Sequence, residues 1–89
     1  MESQVYPVDV ISLCSAEGEI VPLRLRVETE SLELQRADIE EVISTKQVPY
    51  VGAESYVFLC RIRSGQLRCT VELKYAIRSH TWWLLRILC

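Results

Sequence analysis

The 89-residue chain lacks any apolar run long enough to form a membrane-spanning helix. Such a helix needs roughly 20 apolar residues, whereas the most apolar segment, TWWLLRILC at 81–89, is interrupted by Arg86. The start, MESQVYPVDV, has no basic region followed by an apolar one, so no signal peptide is visible. We therefore expect a cytoplasmic protein with no membrane association, whose four cysteines are reduced thiols.

Sequence motifs of common catalytic chemistry are also missing. The chain has a single histidine, His80, and contains no glycine-rich phosphate loop, no H-E-x-x-H and no G-x-S-x-G. No serine or cysteine nucleophile motif accompanies His80. The adjacent acids Glu40 and Glu41 would point to opposite faces of a strand. We expect no enzymatic activity, no catalytic residues and no cofactor.

An excess of positive charge is missing as well. The formal net charge is −2, which argues against a general attraction to nucleic acid or anionic lipid. Disorder is excluded by a composition that is 49 % hydrophobic. We expect residues 1–89 to form a single domain with a thin core, because small domains bury only about 60 % of their unfolded-chain surface.

The apolar residues that are present recur mostly with a period of two, which predicts strands. In IVPLRLRVE (20–28), the alternation predicts one face in the core and one in water. The face expected in the core comprises Val21, Leu23, Leu25 and Val27. Pro22 has no N–H to donate, so we expect an open strand edge there. Gly18 provides the turn that precedes this strand.

The stretch 32–47 is ambiguous between a strand and a helix. Leu32 and Leu34 alternate as in a strand, whereas the apolar residues from 39 to 43 fit one face of a helix. We favour a bent strand with a bulge because the neighbouring segments are all strands. A short helix beginning at Asp38 is the alternative.

The final third of the chain predicts a three-stranded meander over 55–63, 66–75 and 81–88. With the earlier segments this gives about six antiparallel strands. A flat sheet of this size would leave one apolar face uncovered. We therefore predict an all-β fold, a small antiparallel barrel or strongly curved sheet of the SH3-like type.

The segment CRIRSGQLRC (60–69) predicts a hairpin with its tip at Ser64-Gly65. In that register Cys60 lies directly opposite Cys69, and both thiols point into the core. Two buried thiols are the interpretation we favour, since free cysteine is commonly buried. A cross-strand disulfide and a zinc site are the alternatives, and zinc would need two further ligands.

The outward face of this hairpin carries Arg61, Arg63 and Arg68. In the predicted register Arg61 lies opposite Arg68, and like charges across strands repel. Binding of nucleic acid or another anionic ligand would offset that repulsion. A solvated face beside an acidic neighbour such as Glu72 is the alternative.

The last strand, TWWLLRIL, is apolar in both phases. We expect one phase, formed by Trp83, Leu85 and Ile87, to line the core. The other phase is formed by Trp82, Leu84 and Leu88. An antiparallel strand that is apolar on both faces needs a cover, either the loop 46–54 or another protein chain. This second phase therefore predicts a protein interface, with a homodimer as one form of it.

Four segments together resemble a group of small, uncharacterised proteins from Gram-positive bacteria. They are EGEIVPLRLRVE, IEEVISTK, YVFLCRIRSGQLRCTVEL and TWWLLRI, which span about Gly18 to Ile87. Members carry an E-G-x-I-x-P-L-R-I-R motif, an R-Y-x-C-R-I strand and a closing aromatic strand. The resemblance implies a small all-β barrel close to the SH3-like type, and no functional residues. Here Tyr56-Val57-Phe58 replaces the plainer R-Y, and Trp82-Trp83 is doubled.

Two functional hypotheses follow from the sequence. The first is a non-catalytic module for protein interaction or homo-oligomerisation, acting through the outer face of the last strand. The second is a binder of nucleic acid or another anionic ligand, acting through the arginines of the hairpin.

Overall fold

The computed structural model describes residues 5–27, 36–49 and 54–88, which form six β-strands. They are β1 (Tyr6–Cys14), β2 (Ile20–Arg26), β3 (Arg36–Val48), β4 (Ser55–Ser64), β5 (Leu67–Ala76) and β6 (Thr81–Leu88). Each strand pairs antiparallel with the next, and β1 returns to pair with β6, so the sheet closes into a barrel. The predicted all-β barrel is confirmed, and the SH3-like type is consistent with it. No helix in the described ranges is long and apolar enough to cross a membrane.

The core of the barrel is built from rows of side chains that cross neighbouring strands. In one row Tyr75 lies between Tyr56 and Trp82, and Trp82 in turn lies opposite Val8 of β1. The ring centroids of Tyr75 and Trp82 are 4.8 Å apart, and those of Phe58 and Trp82 are 5.5 Å apart. These tilted contacts stabilise the fold beyond the burial of apolar area.

Strand β3 contains two bulges, at Glu40 and Ile43. The pairing with β4 steps from Ile39 to Glu41 and from Val42 to Ser44, which leaves one unpaired residue at each step. Bulges bend a strand and increase its twist. The predicted bent strand is confirmed within the described residues, and the helix from Asp38 does not form. Leu32 and Leu34 lie outside the described residues.

The β4–β5 hairpin turns at Gly65 and Gln66, one residue later than predicted. Gly65 has a φ of 62°, whereas Gln66 is not among the residues with positive φ. This combination matches a type II′ turn, which favours glycine at its first central position. Facing residues therefore have numbers that sum to 131 rather than 129. The predicted inward and outward faces survive because each partner moves by two residues, which preserves the alternation.

The new register separates the two cysteines that were predicted to face each other. Cys60 lies opposite Val71, and Cys69 lies opposite Ile62. The prediction that both point into the core is confirmed, with exposed fractions of 0 % and 5 %. The prediction that they are direct partners is wrong. Gly65 occupies the first of the two central turn positions, whereas the predicted register placed it at the second.

The face assignment for β2 is half wrong. Leu25 and Val27 are buried as predicted, but Val21 and Leu23 are exposed and Pro22 is buried. The pairing of β1 with β2 steps from Arg24 to Pro22, so Leu23 is an additional residue in a bulge. A bulge reverses the alternation beyond it. Pro22 has a strand partner on β1 and none on β3 within the described ranges, which agrees with the predicted open edge.

The face assignment for β6 is wrong at its first half. Trp82 and Leu84 are buried in the core, with exposed fractions of 8 % and 1 %, instead of facing outward. Leu85 is the additional residue in a bulge, since the pairing with β5 steps from Leu84 to Arg86. Beyond that bulge Leu88 is exposed, as predicted. A strand that is apolar in both phases does not reveal in its sequence which phase faces inward.

The two tryptophans offer a direct test of the β6 orientation. We expect Trp83→Phe, which retains Trp82, to emit at shorter wavelength, because Trp82 is buried while Trp83 is half-buried. We expect Trp82→Phe, which retains Trp83, to emit at longer wavelength and to be quenched more by acrylamide. Fluorescence of the two folded variants measures this. The reverse order of wavelengths would contradict the orientation.

Candidate interaction and anion-binding surfaces

The β1–β2 hairpin extends beyond the closed part of the barrel. Strand β1 pairs with β6 only over residues 6–8, and from Asp9 to Cys14 it pairs with β2 alone. Within the described ranges, strand β2 pairs with β3 over residues 24–26. The outer edge of β1 from Asp9 to Cys14 therefore has no strand partner among the described residues. We call this stretch the open edge.

The two faces of this hairpin differ in what they contact. On the inner face Pro22 is fully buried and Ile20 packs against the core. The outer face carries four large apolar side chains with exposed fractions between 37 % and 59 %: Ile11, Leu13, Val21 and Leu23. Leu13 lies directly opposite Val21 in the pairing. These four residues form the hairpin patch, and they are half of the eight large exposed hydrophobics in the described ranges.

The turn that joins the two strands is held by its own hydrogen bonds. The Ser15 hydroxyl accepts from the backbone N–H groups of Glu17 and Glu19, at 3.2 and 3.0 Å. The Ser15 carbonyl accepts from the Gly18 N–H at 2.9 Å. Gly18 has a φ of 88°, which glycine adopts without steric cost. The turn therefore presents the hairpin patch on an ordered backbone.

The structure changes which residues are available for a protein interface. Trp82 and Leu84 are core residues, so a partner cannot reach them without opening the barrel. Leu88 is exposed at 46 % but lies on β6, apart from the hairpin patch. The hairpin patch was missed in the sequence because Val21 and Leu23 continue the alternation of Leu25 and Val27. Only the bulge separates the two pairs.

The arginines of the β4–β5 hairpin do not form the arrangement that the sequence predicts. Arg61 lies opposite Thr70 and not opposite Arg68. Its guanidinium forms an ion pair with Glu41, its partner on β3. Arg68 lies 3.7 Å from a carboxylate oxygen of Glu40. These two positive charges are therefore compensated by acids of β3 rather than by Glu72.

Similar ion pairs occur around the outside of the barrel between directly paired residues. Three more join neighbouring strands at distances between 2.6 and 3.1 Å: Arg24–Asp38, Arg26–Asp9 and Arg86–Glu72. Exposed pairs of this kind contribute only about 0–1 kcal/mol each. Their more important effect is on charge, since they neutralise most of the arginines on the surface.

Arg36 and Arg63 differ from these arginines because neither forms an ion pair within the described ranges. Both line a pocket of about 650 Å³ between β1, β2, β3 and the β4–β5 turn. The charged residues that line it are four arginines and two aspartates: Arg24, Arg26, Arg36, Arg63, Asp9 and Asp38. Four positive and two negative charges give the lining a formal charge of +2. We call this site the arginine pocket.

The cysteines depart from the expectation of four reduced thiols. Cys69 is disulfide-bonded, whereas Cys14 and Cys60 are free. The alternative of a Cys60–Cys69 disulfide is therefore wrong. Cys89 lies outside the described residues. A disulfide sulfur is no longer a thiolate ligand, so Cys69 cannot bind zinc in this state, and no group of three potential metal ligands occurs in the described part of the chain.

His80 occupies a structural position in the turn between β5 and β6. It has a φ of 57°, and its Nδ1 lies 2.9 Å from the hydroxyl of Tyr75. The His80 N–H donates to the Ala76 carbonyl at 2.9 Å. These contacts hold His80 in the turn.

Comparison of the chain with known protein families, with curated proteins and with solved structures gives no match. The resemblance to small proteins of Gram-positive bacteria therefore stays a prediction.

Burial raises the pKa of the Cys60 thiol from 9.0 to about 12. We therefore expect iodoacetamide at pH 8.5 to modify the exposed Cys14 and to leave Cys60 unmodified until the protein is unfolded. Mass spectrometry of digested samples, labelled with and without denaturant, measures this. Modification of Cys60 at the same rate as Cys14 in the folded protein would contradict its burial.

The raised pKa of the Cys60 thiol also makes the free energy of unfolding depend on pH. The folded pKa lies above the unfolded one, so the contribution of the neutral thiol is complete below pH 9 and is lost as the pH rises towards 12. We expect the stability difference between the wild type and Cys60→Ala to shrink over that range. Urea unfolding at several pH values checks this, and a constant difference would contradict it.

Proposed function

We propose that the protein is a non-catalytic interaction module that forms homodimers by pairing the open edges of two β1 strands. The observation that carries the proposal is the coincidence of an unpaired strand edge with exposed apolar side chains on the same hairpin. The open edge extends from Asp9 to Cys14, and the hairpin patch adjoins it. The proposal keeps the interaction hypothesis from the sequence and moves it from β6 to β1.

The first support is the chemistry of an unprotected edge. An edge strand presents unpaired N–H and C=O groups that another strand can satisfy. Proteins usually protect such edges with lysine, proline or an inward-pointing charge. The segment VISLC at 10–14 has none of these. An added strand would gain backbone hydrogen bonds and cover part of the hairpin patch at the same time.

The second support concerns the identity of the partner. Antiparallel pairing of two identical strands about a two-fold axis at Ser12 places Ile11 of one copy opposite Leu13 of the other. The contact is self-complementary, as a two-fold interface requires. No charged residue lies between 10 and 14, so no like charges meet in the paired region. A second copy of this chain therefore fits the edge without any compensating change.

Nucleic-acid binding through Arg61, Arg63 and Arg68 is the second candidate function, and the structure supports it less. Two of the three arginines are ion-paired with Glu41 and Glu40. A strand of nucleic acid requires a continuous basic track, and the formal net charge of the chain is −2.

The cytoplasmic location also stays a prediction. The disulfide at Cys69 weighs against it, since disulfides are rare in reducing compartments.

Sedimentation velocity over a wide concentration range tests the homodimer. We expect the wild type to shift reversibly from monomer to dimer as its concentration rises. The double variant Ile11→Lys/Leu13→Lys should weaken dimerisation by about tenfold or more, because each copy then brings two positive charges to the contact and like charges face each other. Both side chains are more than half exposed, so we expect the fold to tolerate the change.

Ile43→Lys serves as the matched control. Ile43 is exposed at 42 % and lies on β3, outside the hairpin patch and the open edge. This variant should dimerise as the wild type does. A wild type that stays monomeric at the highest concentration would overturn the proposal. Equal weakening by Ile43→Lys would also overturn it, by showing that surface charge in general prevents association.

A further inference from the structure

Three consecutive residues at the β4–β5 turn present hydrogen-bond donors that are not used within the described part of the protein. The Arg63 guanidinium forms no ion pair there, and the Ser64 hydroxyl has no hydrogen-bond partner there. The Gly65 N–H belongs to the turn rather than to the strand pairing, which ends at Ser64 and Leu67. All three residues line the arginine pocket. Donors gathered without acceptors are suited to bind an anion.

Arg36 adds a second guanidinium to the same pocket. Asp38 lies opposite Arg63 in the pairing of β3 with β4. Arg36 is two residues before Asp38, so it is a diagonal neighbour of Arg63, at a separation of roughly 7–8 Å. Arginine side chains are long enough for both guanidinium groups to reach one oxyanion placed between them. Arg36 also lies at the register position that faces Gly65.

The aspartates in the pocket do not cancel these charges, because each already accepts from another arginine. Asp38 accepts from Arg24 Nε at 2.8 Å, and Asp9 accepts from Arg26 at 2.6 Å. The formal charge of +2 in the lining is therefore concentrated on Arg36 and Arg63.

The size and the apolar part of the pocket indicate that the ligand is more than a bare ion. A volume of about 650 Å³ is within the range of small-molecule sites. Val10 and Ile11 contribute apolar surface to the lining beside the charged residues. An organic group attached to the oxyanion would contact these apolar side chains.

We propose that the arginine pocket binds a small phosphate monoester, with the phosphate held by Arg36, Arg63 and the Ser64-Gly65 turn. Arginine binds phosphate oxygens through paired N–H donors. The organic group of the ligand lies over the apolar lining. The occupant is a single terminal phosphate rather than a polynucleotide, because Arg61 and Arg68 on the adjoining surface are compensated by Glu41 and Glu40. The residues proposed to hold the phosphate lie outside the open edge, whereas Asp9, Val10 and Ile11 of the open edge form part of the pocket wall.

Nuclear magnetic resonance titration at constant ionic strength tests the site. The probes are inorganic phosphate, phenyl phosphate and, as a control anion, chloride. We expect both phosphates to cause saturable shifts of the backbone amide signals of residues 63–66. Phenyl phosphate should bind more tightly than inorganic phosphate, because its ring contacts the apolar lining. Binding should weaken from pH 7.5 to pH 5, as the phosphate gains a proton near pH 6.

Arg61→Gln is the matched control, because it removes the same charge from the same strand outside the pocket. We expect Arg63→Gln and Arg36→Gln each to weaken phenyl phosphate binding by about tenfold. We expect Arg61→Gln to change it by less than about twofold. Equal weakening by Arg61→Gln, or shifts that do not saturate, would overturn the proposal. Binding of a single-stranded oligonucleotide without binding of either phosphate probe would also overturn it.

Discussion

Closure of the six-stranded sheet through β1 and β6 is the constraint on which the rest of the structure depends. Among the described residues, the closing contact comprises residues 6–8 of β1 paired with β6. The first part of β1 therefore completes the barrel, and the remainder continues beyond it with one edge unpaired. The β5–β6 pairing places Trp82 beside the aromatic residues of β4 and β5, and the closure adds Val8 of β1 opposite it. The proposed interface arises because β1 is longer than the stretch over which it pairs with β6.

Bulges are the means by which a short sheet can close, and each one exchanges the faces of a strand. They occur in β2, β3 and β6, at Leu23, Glu40, Ile43 and Leu85. The bulge in β2 buries Pro22 and turns Val21 outward, which creates the hairpin patch. The bulge in β6 keeps both Leu84 and Ile87 in contact with the core. Surface and core are therefore determined together, by the same local irregularities.

Electrostatics on the outer surface follow from the strand register. Most of the arginines on the described strands form an ion pair with an acidic residue of a neighbouring strand. Arg36 and Arg63 are exceptions among the described residues, and they line one pocket. A negative net charge is thus compatible with a local anion site. The net charge describes the chain, whereas a ligand responds to the charges within a few ångströms.

The sequence by itself determined the number and direction of the strands, the extended conformation of β3 and the burial of Cys60 and Cys69, because a period of two is a local property of the chain. It placed the β4–β5 tip one residue early, although the faces were correct. Only the tertiary structure decided which phase of β6 is inward, and that Trp82 and Leu84 belong to the core. It also decided which arginines are compensated. These features depend on bulges and on pairing between distant strands, whose energies arise only when the barrel closes.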